Sequence, residues 1–225
     1  MTKRQFAMMV VCAICVALPL PFSFVSEARG FDGPDLLTQQ IRATAIKGKT
    51  LEEALATLTS DYGVPIGIEL GYQKLTAPRR EIDLNLPETT VKDFLDSVTA
   101  KDPRYTWKLE GGVIHVRPLT GRDPLLTALL DTRISHFGFT EGATRYRIFS
   151  DILSVPEIQT QLIVADVAPL FIVIGSMHRI GKGISFQESN LTLRELLDRI
   201  TLKTDIKRWV LVRWGENGEF ITLRS

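Results

Sequence analysis

The chain has 225 residues, with 27 Lys and Arg against 26 Asp and Glu, three histidines and two cysteines. A near-neutral chain has no long-range pull toward nucleic acid or an acidic membrane surface. Both cysteines, Cys12 and Cys15, lie in an apolar amino-terminal run, so nothing beyond that run supports a disulfide or thiol chemistry.

The amino end reads as an export signal. Lys3 and Arg4 give a positive start, residues 6–25 are nearly all apolar, and Ser26-Glu27-Ala28 places small residues where a signal peptidase reads them. Pro19 and Pro21 break the end of the apolar run, because proline removes a helix hydrogen bond and clashes with the preceding turn. That suits a cleaved signal over residues 1–28 rather than a retained anchor. It leaves 25 basic and 25 acidic residues from Arg29 onward and no stable membrane span.

The remainder divides into two stretches of similar pattern. Residues 41–46 read as a strand, the segment opened by Thr50-Leu51-Glu52-Glu53 as a helix, and residues 64–70 as a strand. Residues 82–86 alternate with period two, as a half-buried strand does. Val91, Phe94, Leu95 and Val98 then fall on one helical face. Residues 105–109 and 113–116 form a hairpin about Gly111-Gly112, where both turn residues can need positive φ. Residues 119–130 read as a linker ending in a short helix. Beyond it, strand (131–139), helix (144–153, broken near Pro156), strand (170–174), strand (183–187), helix (192–200) and a hairpin about Asn217-Gly218 follow, with residues 158–165 as an insertion.

The repeat is explicit at the second helix of each stretch. Thr90 to Val98 matches Thr192 to Ile200 at an offset of 102 residues, apolar position for apolar position. Thr50 with Glu53, Thr90 with Asp93, and Thr192 with Glu195 each have the form of a capping box, in which the threonine oxygen and the acid exchange hydrogen bonds with the first turn. The expected fold class is α+β: two tandem small modules, residues 29–118 and 131–225, each a short sheet with two helices in the order β-α-β-β-α-β-β.

Gly48-Lys49-Thr50-Leu51-Glu52-Glu53-Ala54-Leu55, Val64-Pro65-Ile66-Gly67-Ile68, the strand at 82–86, the helix at 91–98 and the hairpin ending at Val116 resemble the secretin/TonB short N-terminal domain. The resemblance covers roughly residues 41–118, with a diverged second copy clearest over residues 184–223, and no channel or barrel region follows within this sequence. It implies a periplasmic module that contacts partner proteins, and it leaves self-association open.

No residue set points to catalysis. His115, His136 and His178 show no metal-ligand spacing and read as solvated or structural. Gly175 to Gly183 resembles a phosphate loop but has five residues between its glycines and Gly183 where Ser or Thr should stand. Asp93/Asp96 and Glu195/Asp198 read as the solvated sides of capped helices rather than acid–base pairs. Trp107 alternates with Tyr105 and Leu109 and belongs to a core, whereas Trp209 and Trp214, five apart on a strand, point to opposite faces. The candidate contact residues are His178, Arg179, Lys182 and Trp214. The expected function is an exported, periplasmic, non-catalytic adaptor that contacts an envelope protein and needs no cofactor or metal. The alternative is a binder of small molecules or glycans, with its pocket near Tyr146, Arg179 and Trp214.

Overall fold

The computed structural model describes residues 33–74, 76, 78–170, 179–181 and 183–225. The signal over residues 1–28, residues 171–174 of the strand expected at 170–174, and the candidates His178 and Lys182 lie outside the described residues. In chain order the elements are α1 (Gly33–Thr38), β1 (Gln40–Ile41), β2 (Thr44–Lys49), α2 (Leu51–Tyr62), β3 (Ile66–Gln73), β4 (Ile82–Leu86), β5 (Thr89–Thr90), α3 (Val91–Lys101), β6 (Tyr105–Glu110) and β7 (Val113–Pro118). There follow α4 (Pro124–Asp131), β8 (Arg133–Phe139), α5 (Arg145–Leu153), α6 (Pro156–Val164), β9 (Ala168–Pro169), β10 (Phe186–Thr192), α7 (Leu193–Lys203), β11 (Arg208–Trp214) and β12 (Phe220–Arg224). The fold is of the α+β class.

The helices start and stop for local reasons. Complete capping boxes open α2 at Thr50–Glu53 and α7 at Thr192–Glu195. The box expected at Thr90 is only half made. Asp93 N–H donates to the Thr90 hydroxyl at 3.1 Å, but the aspartate is one methylene shorter than glutamate and meets the Thr90 hydroxyl rather than its backbone N–H. Gly63, at φ 67, ends α2 in the left-handed conformation that lacks a Cβ penalty. The segment expected as an insertion, residues 158–165, forms most of α6 and its C-cap Ala165.

The two hairpins differ more than their turn sequences suggest. Gly111 and Gly112, at φ 58 and 85, close β6 and β7 as a tight two-residue turn. The second loop spans residues 215–219 instead of turning at Asn217-Gly218 alone. The Tyr72 hydroxyl of β3 donates to the Gly215 carbonyl at 2.8 Å, and Arg213 Nε donates to the Gly218 carbonyl at 2.6 Å, so side chains hold the wider loop.

Strand pairing recurs in the two halves. β2 pairs antiparallel with β4, and β8 with β10. β3 lies parallel to β7, which turns back on β6, and β9 lies parallel to β12, which turns back on β11. The halves do not keep separate sheets. β3 pairs in parallel with β11, Ile66 to Arg208 through Leu70 to Val212, so one sheet runs β6-β7-β3-β11-β12-β9. Helices α2 and α3 cover one face, where Ile66, Ile68, Ile114, Val210 and Val212 join a single apolar cluster. Helices α4, α5, α6 and α7 cover the other, where Trp209, Leu211, Ile221 and Leu223 are buried. The second half therefore sends strand residues, Val210 and Val212, into the core built by the first half's helices.

Candidate functional site

The candidate contact residues are not gathered into one site. Arg179 is exposed and forms a bridge with Thr144 at the start of α5. Trp214 is half-buried rather than projecting. The Arg224 guanidinium lies 5.4 Å from its ring centre, and Arg224 is itself held by two hydrogen bonds to Glu52, at 2.6 and 3.2 Å. Trp214 packs with the α2–α3 cluster, on the sheet face away from α5 and its Tyr146. The expected pocket between these residues is thus not assembled. Among the described residues, no three His, Cys, Asp or Glu side chains converge as a metal site.

His115 is structural, and its partner comes from the other half. It is 1% exposed, and its Nε2 lies 3.2 Å from Asp198 on α7. His136 Nδ1 meets the Ser189 hydroxyl at 3.0 Å across β8 and β10. The expectation that Asp96 and Asp198 merely face solvent is corrected. Asp96 accepts the indole N–H of Trp107 at 2.9 Å, and Asp198 accepts that of Trp209 at 3.0 Å. An indole N–H turned toward a core needs an acceptor, and the acid one turn into the helix supplies it.

These bonds carry the repeat down to single atoms. Asp96 and Asp198 are 102 residues apart, as are Trp107 and Trp209, and as are Lys92 and Arg194. What differs is the surroundings. In the second half all three side chains engage the first half. Arg194 pairs with Glu69 of β3 at 2.6 Å, Asp198 approaches His115 of β7, and Trp209 is fully buried over Gly67, where a Cβ would overlap its indole. In the first half, Lys92 and Asp96 pair with each other at 2.7 Å, with side chains 56% and 48% exposed. That contact holds the Lys92 ammonium above its ordinary value, through its hydrogen bond to Asp96.

The surface around Lys92, Asp96 and Trp107 is the best-defined candidate site. It combines a sheet edge with a groove. Leu119 N–H donates to the Arg104 carbonyl at 2.7 Å, and Thr106, Lys108 and Glu110 oppose Arg117, His115 and Val113. Antiparallel pairing alternates, so Trp107 and Leu109 turn their backbone N–H and C=O away from β7. Among the described residues, no strand pairs with that outer side. β6 contains no proline, and its charged residues are Lys108 and Glu110, which pair with each other at 2.6 Å. Beside it runs a groove of about 510 Å³, lined by Asp96, Thr99, Ala100, Trp107 and Leu119, the last 61% exposed. Just after α3, burial pushes the Asp102 carboxyl up, but the hydrogen bonds and charge of Arg104 outweigh this and hold it below the ordinary value.

A second groove, of about 550 Å³, lies between the β8–β10 pair and α5. Phe137, Phe139 and Phe186 line it, with the Phe139 and Phe186 rings stacked 5.2 Å apart, and His136 and Asp151 stand at its rim.

No protein-family model, no curated protein and no solved structure matches the chain. The resemblance to the secretin/TonB short N-terminal domain rests on the residues quoted above. The sequence signal for the candidate site was the shared offset of tryptophan and acid, but alignment alone does not say which copy is covered.

Proposed function

We propose that the protein is an exported, non-catalytic adaptor of the cell envelope, built from two modules like the secretin/TonB short N-terminal domain, that contacts another envelope protein. The observation that carries this reading is the outer side of β6, a proline-free sheet edge flanked by a groove and an exposed leucine. Such an edge recognises an extended segment through backbone hydrogen bonds, and the groove beside it reads alternate side chains. Among the described residues, no helix is long and apolar enough to cross a membrane. Export follows from the amino-terminal pattern, and the exported protein is expected to begin at Arg29, which intact mass measurement checks.

The adaptor reading is tested by placing a photo-crosslinking residue at Lys108, whose side chain is 62% exposed on β6, and another at Ile163, 75% exposed on α6. One envelope protein captured from position 108 and not from position 163 supports the reading. Equal capture from both, or none from position 108 in the native host, argues against it.

The alternative, a binder of small apolar or glycan ligands, is favoured by the phenylalanine-lined groove beside α5. It predicts a rise in melting temperature with a ligand, since a molecule bound only by the folded state stabilises it. Phe139→Ala would abolish that rise.

A further inference from the structure

The contact between the halves supplies a template for what the β6 surface takes. β11 is the second-half counterpart of β6, and the side of β11 that corresponds to the outer side of β6 is occupied by β3. Ile66 N–H donates to the Lys207 carbonyl at 2.9 Å, and Trp209 and Leu211 lie opposite Gly67 and Glu69. The counterparts of Lys207, Trp209 and Leu211 on β6 are Tyr105, Trp107 and Leu109, the residues whose carbonyl or amide groups turn outward. The helix above carries the same instruments. Arg194 reaches the acid of the added strand, and its counterpart Lys92 is exposed and, among the described residues, pairs only with Asp96. Where Leu202 of α7 reaches the Gly112 turn of the first half, α3 has the smaller Ala100, which lines the groove.

We propose that the β6–α3 surface binds an extended segment of a partner protein, parallel to β6, with glycine opposite Trp107 and an acidic residue two positions later, opposite Leu109 and within reach of Lys92. This rests on the adaptor reading and names the chemistry of its partner. The glycine is required because a strand beside an indole that leans over the sheet has no room for a Cβ, as at Gly67. The acid replaces Asp96 as the partner of Lys92, as Glu69 serves Arg194. Among the described residues, a second copy of this chain offers no such strand at its other sheet edge. Ala168 and Leu170 direct their N–H groups to β12, so Pro169 faces outward and has no N–H to donate.

The test uses the exported full chain and a synthetic peptide of residues 62–72, the chain's own β3 sequence, as the probe. The indole N–H resonances of Trp107 and Trp209 are followed by NMR, each assigned by its Trp→Phe variant. The expected result is a saturable shift of the Trp107 resonance with the Trp209 resonance unmoved. N-methylation of the peptide at Ile68, whose N–H faces the receiving strand, weakens binding at least about tenfold, while N-methylation at Gly67 does not. Glu69→Lys in the peptide weakens binding about fivefold, and Lys92→Glu in the protein restores that peptide's affinity. No Trp107 shift up to about 1 mM peptide overturns the proposal. So does binding indifferent to Gly67→Val in the peptide, or a dimer in light scattering that the peptide does not dissociate. A partner captured from position 108 whose contacting segment lacks glycine followed two residues later by an acid leaves the adaptor reading standing and removes this one.

Discussion

Glu69 ties the first half both to α7 and to the connecting segment. It is 3% exposed on β3, 2.6 Å from Arg194 of α7 and 3.3 Å from Arg122 of the connecting segment. Removing one member of a buried ion pair leaves the other charge uncompensated. Glu69→Ala is expected to cost about 3 kcal/mol, the low end for such pairs because both guanidinium groups keep some contact with water. A lower urea midpoint at unchanged slope would show it. Asp102 makes a pH prediction. Its side chain is buried, and Arg104 holds its carboxyl below the ordinary value despite burial. A depressed folded value contributes stability above the unfolded pKa, about 4, and loses it as pH falls through the lower folded value. Urea midpoints of the parent protein should therefore decline on acidification below about pH 4, and Asp102→Asn should flatten that decline. Glu53 and Glu195, lowered chiefly by hydrogen bonds from the Thr50 and Thr192 backbones, act in the same direction.

The element on which the assembly turns is the β3–β11 pair. Gly67 lies opposite Trp209, and a methyl group there would overlap the indole. Gly67→Ala is expected to destabilise by about 1–3 kcal/mol, the usual cost of overpacking. Trp209→Phe removes the part of the ring that collides, so the double variant should be more stable than the two single losses added together. Helix starts give a graded comparison. Thr192→Ala dissolves a complete capping box and should cost about 1–2 kcal/mol, whereas Thr90→Ala breaks a half-made one and should cost about 0.5–1 kcal/mol. Equilibrium unfolding of both variants in one buffer measures the difference.

Across the whole molecule the halves are related by a half-turn about the direction across the strands, combined with a shift along it. β6 runs opposite to its counterpart β11, and the helices of the two halves cover opposite faces. Repeating such an operation gives an open array rather than a closed ring. Among the described residues β9 ends the sheet, and its outward proline blunts the position where a further strand would add. Because Val210 and Val212 complete the first half's core, neither half buries its apolar surface alone. Calorimetry of the exported protein should show one transition, with calorimetric and van't Hoff enthalpies in agreement. Residues 29–118 expressed alone should show no cooperative melt.

Much of the local structure is written in short-range chemistry. The α2 and α7 capping boxes, the Gly111-Gly112 turn, and the helical face of Val91, Phe94, Leu95 and Val98 were all legible, because caps, turns and periodicity depend on residues a few positions apart. The wider second hairpin was not, since Tyr72, far away in sequence, holds its loop. The candidate site was half legible. Matching Trp107 and Trp209, Asp96 and Asp198, Lys92 and Arg194 could be aligned, and an amphipathic strand could be placed under each helix. By itself, then, the sequence determined most of the element types, though not α6, together with the repeat and the chemical equipment of both copies. The tertiary structure alone decided that β3 covers β11 and leaves β6 at the sheet edge. Strand pairing between residues so far apart in the chain, such as Ile66 with Arg208, depends on long-range packing that no local pattern encodes.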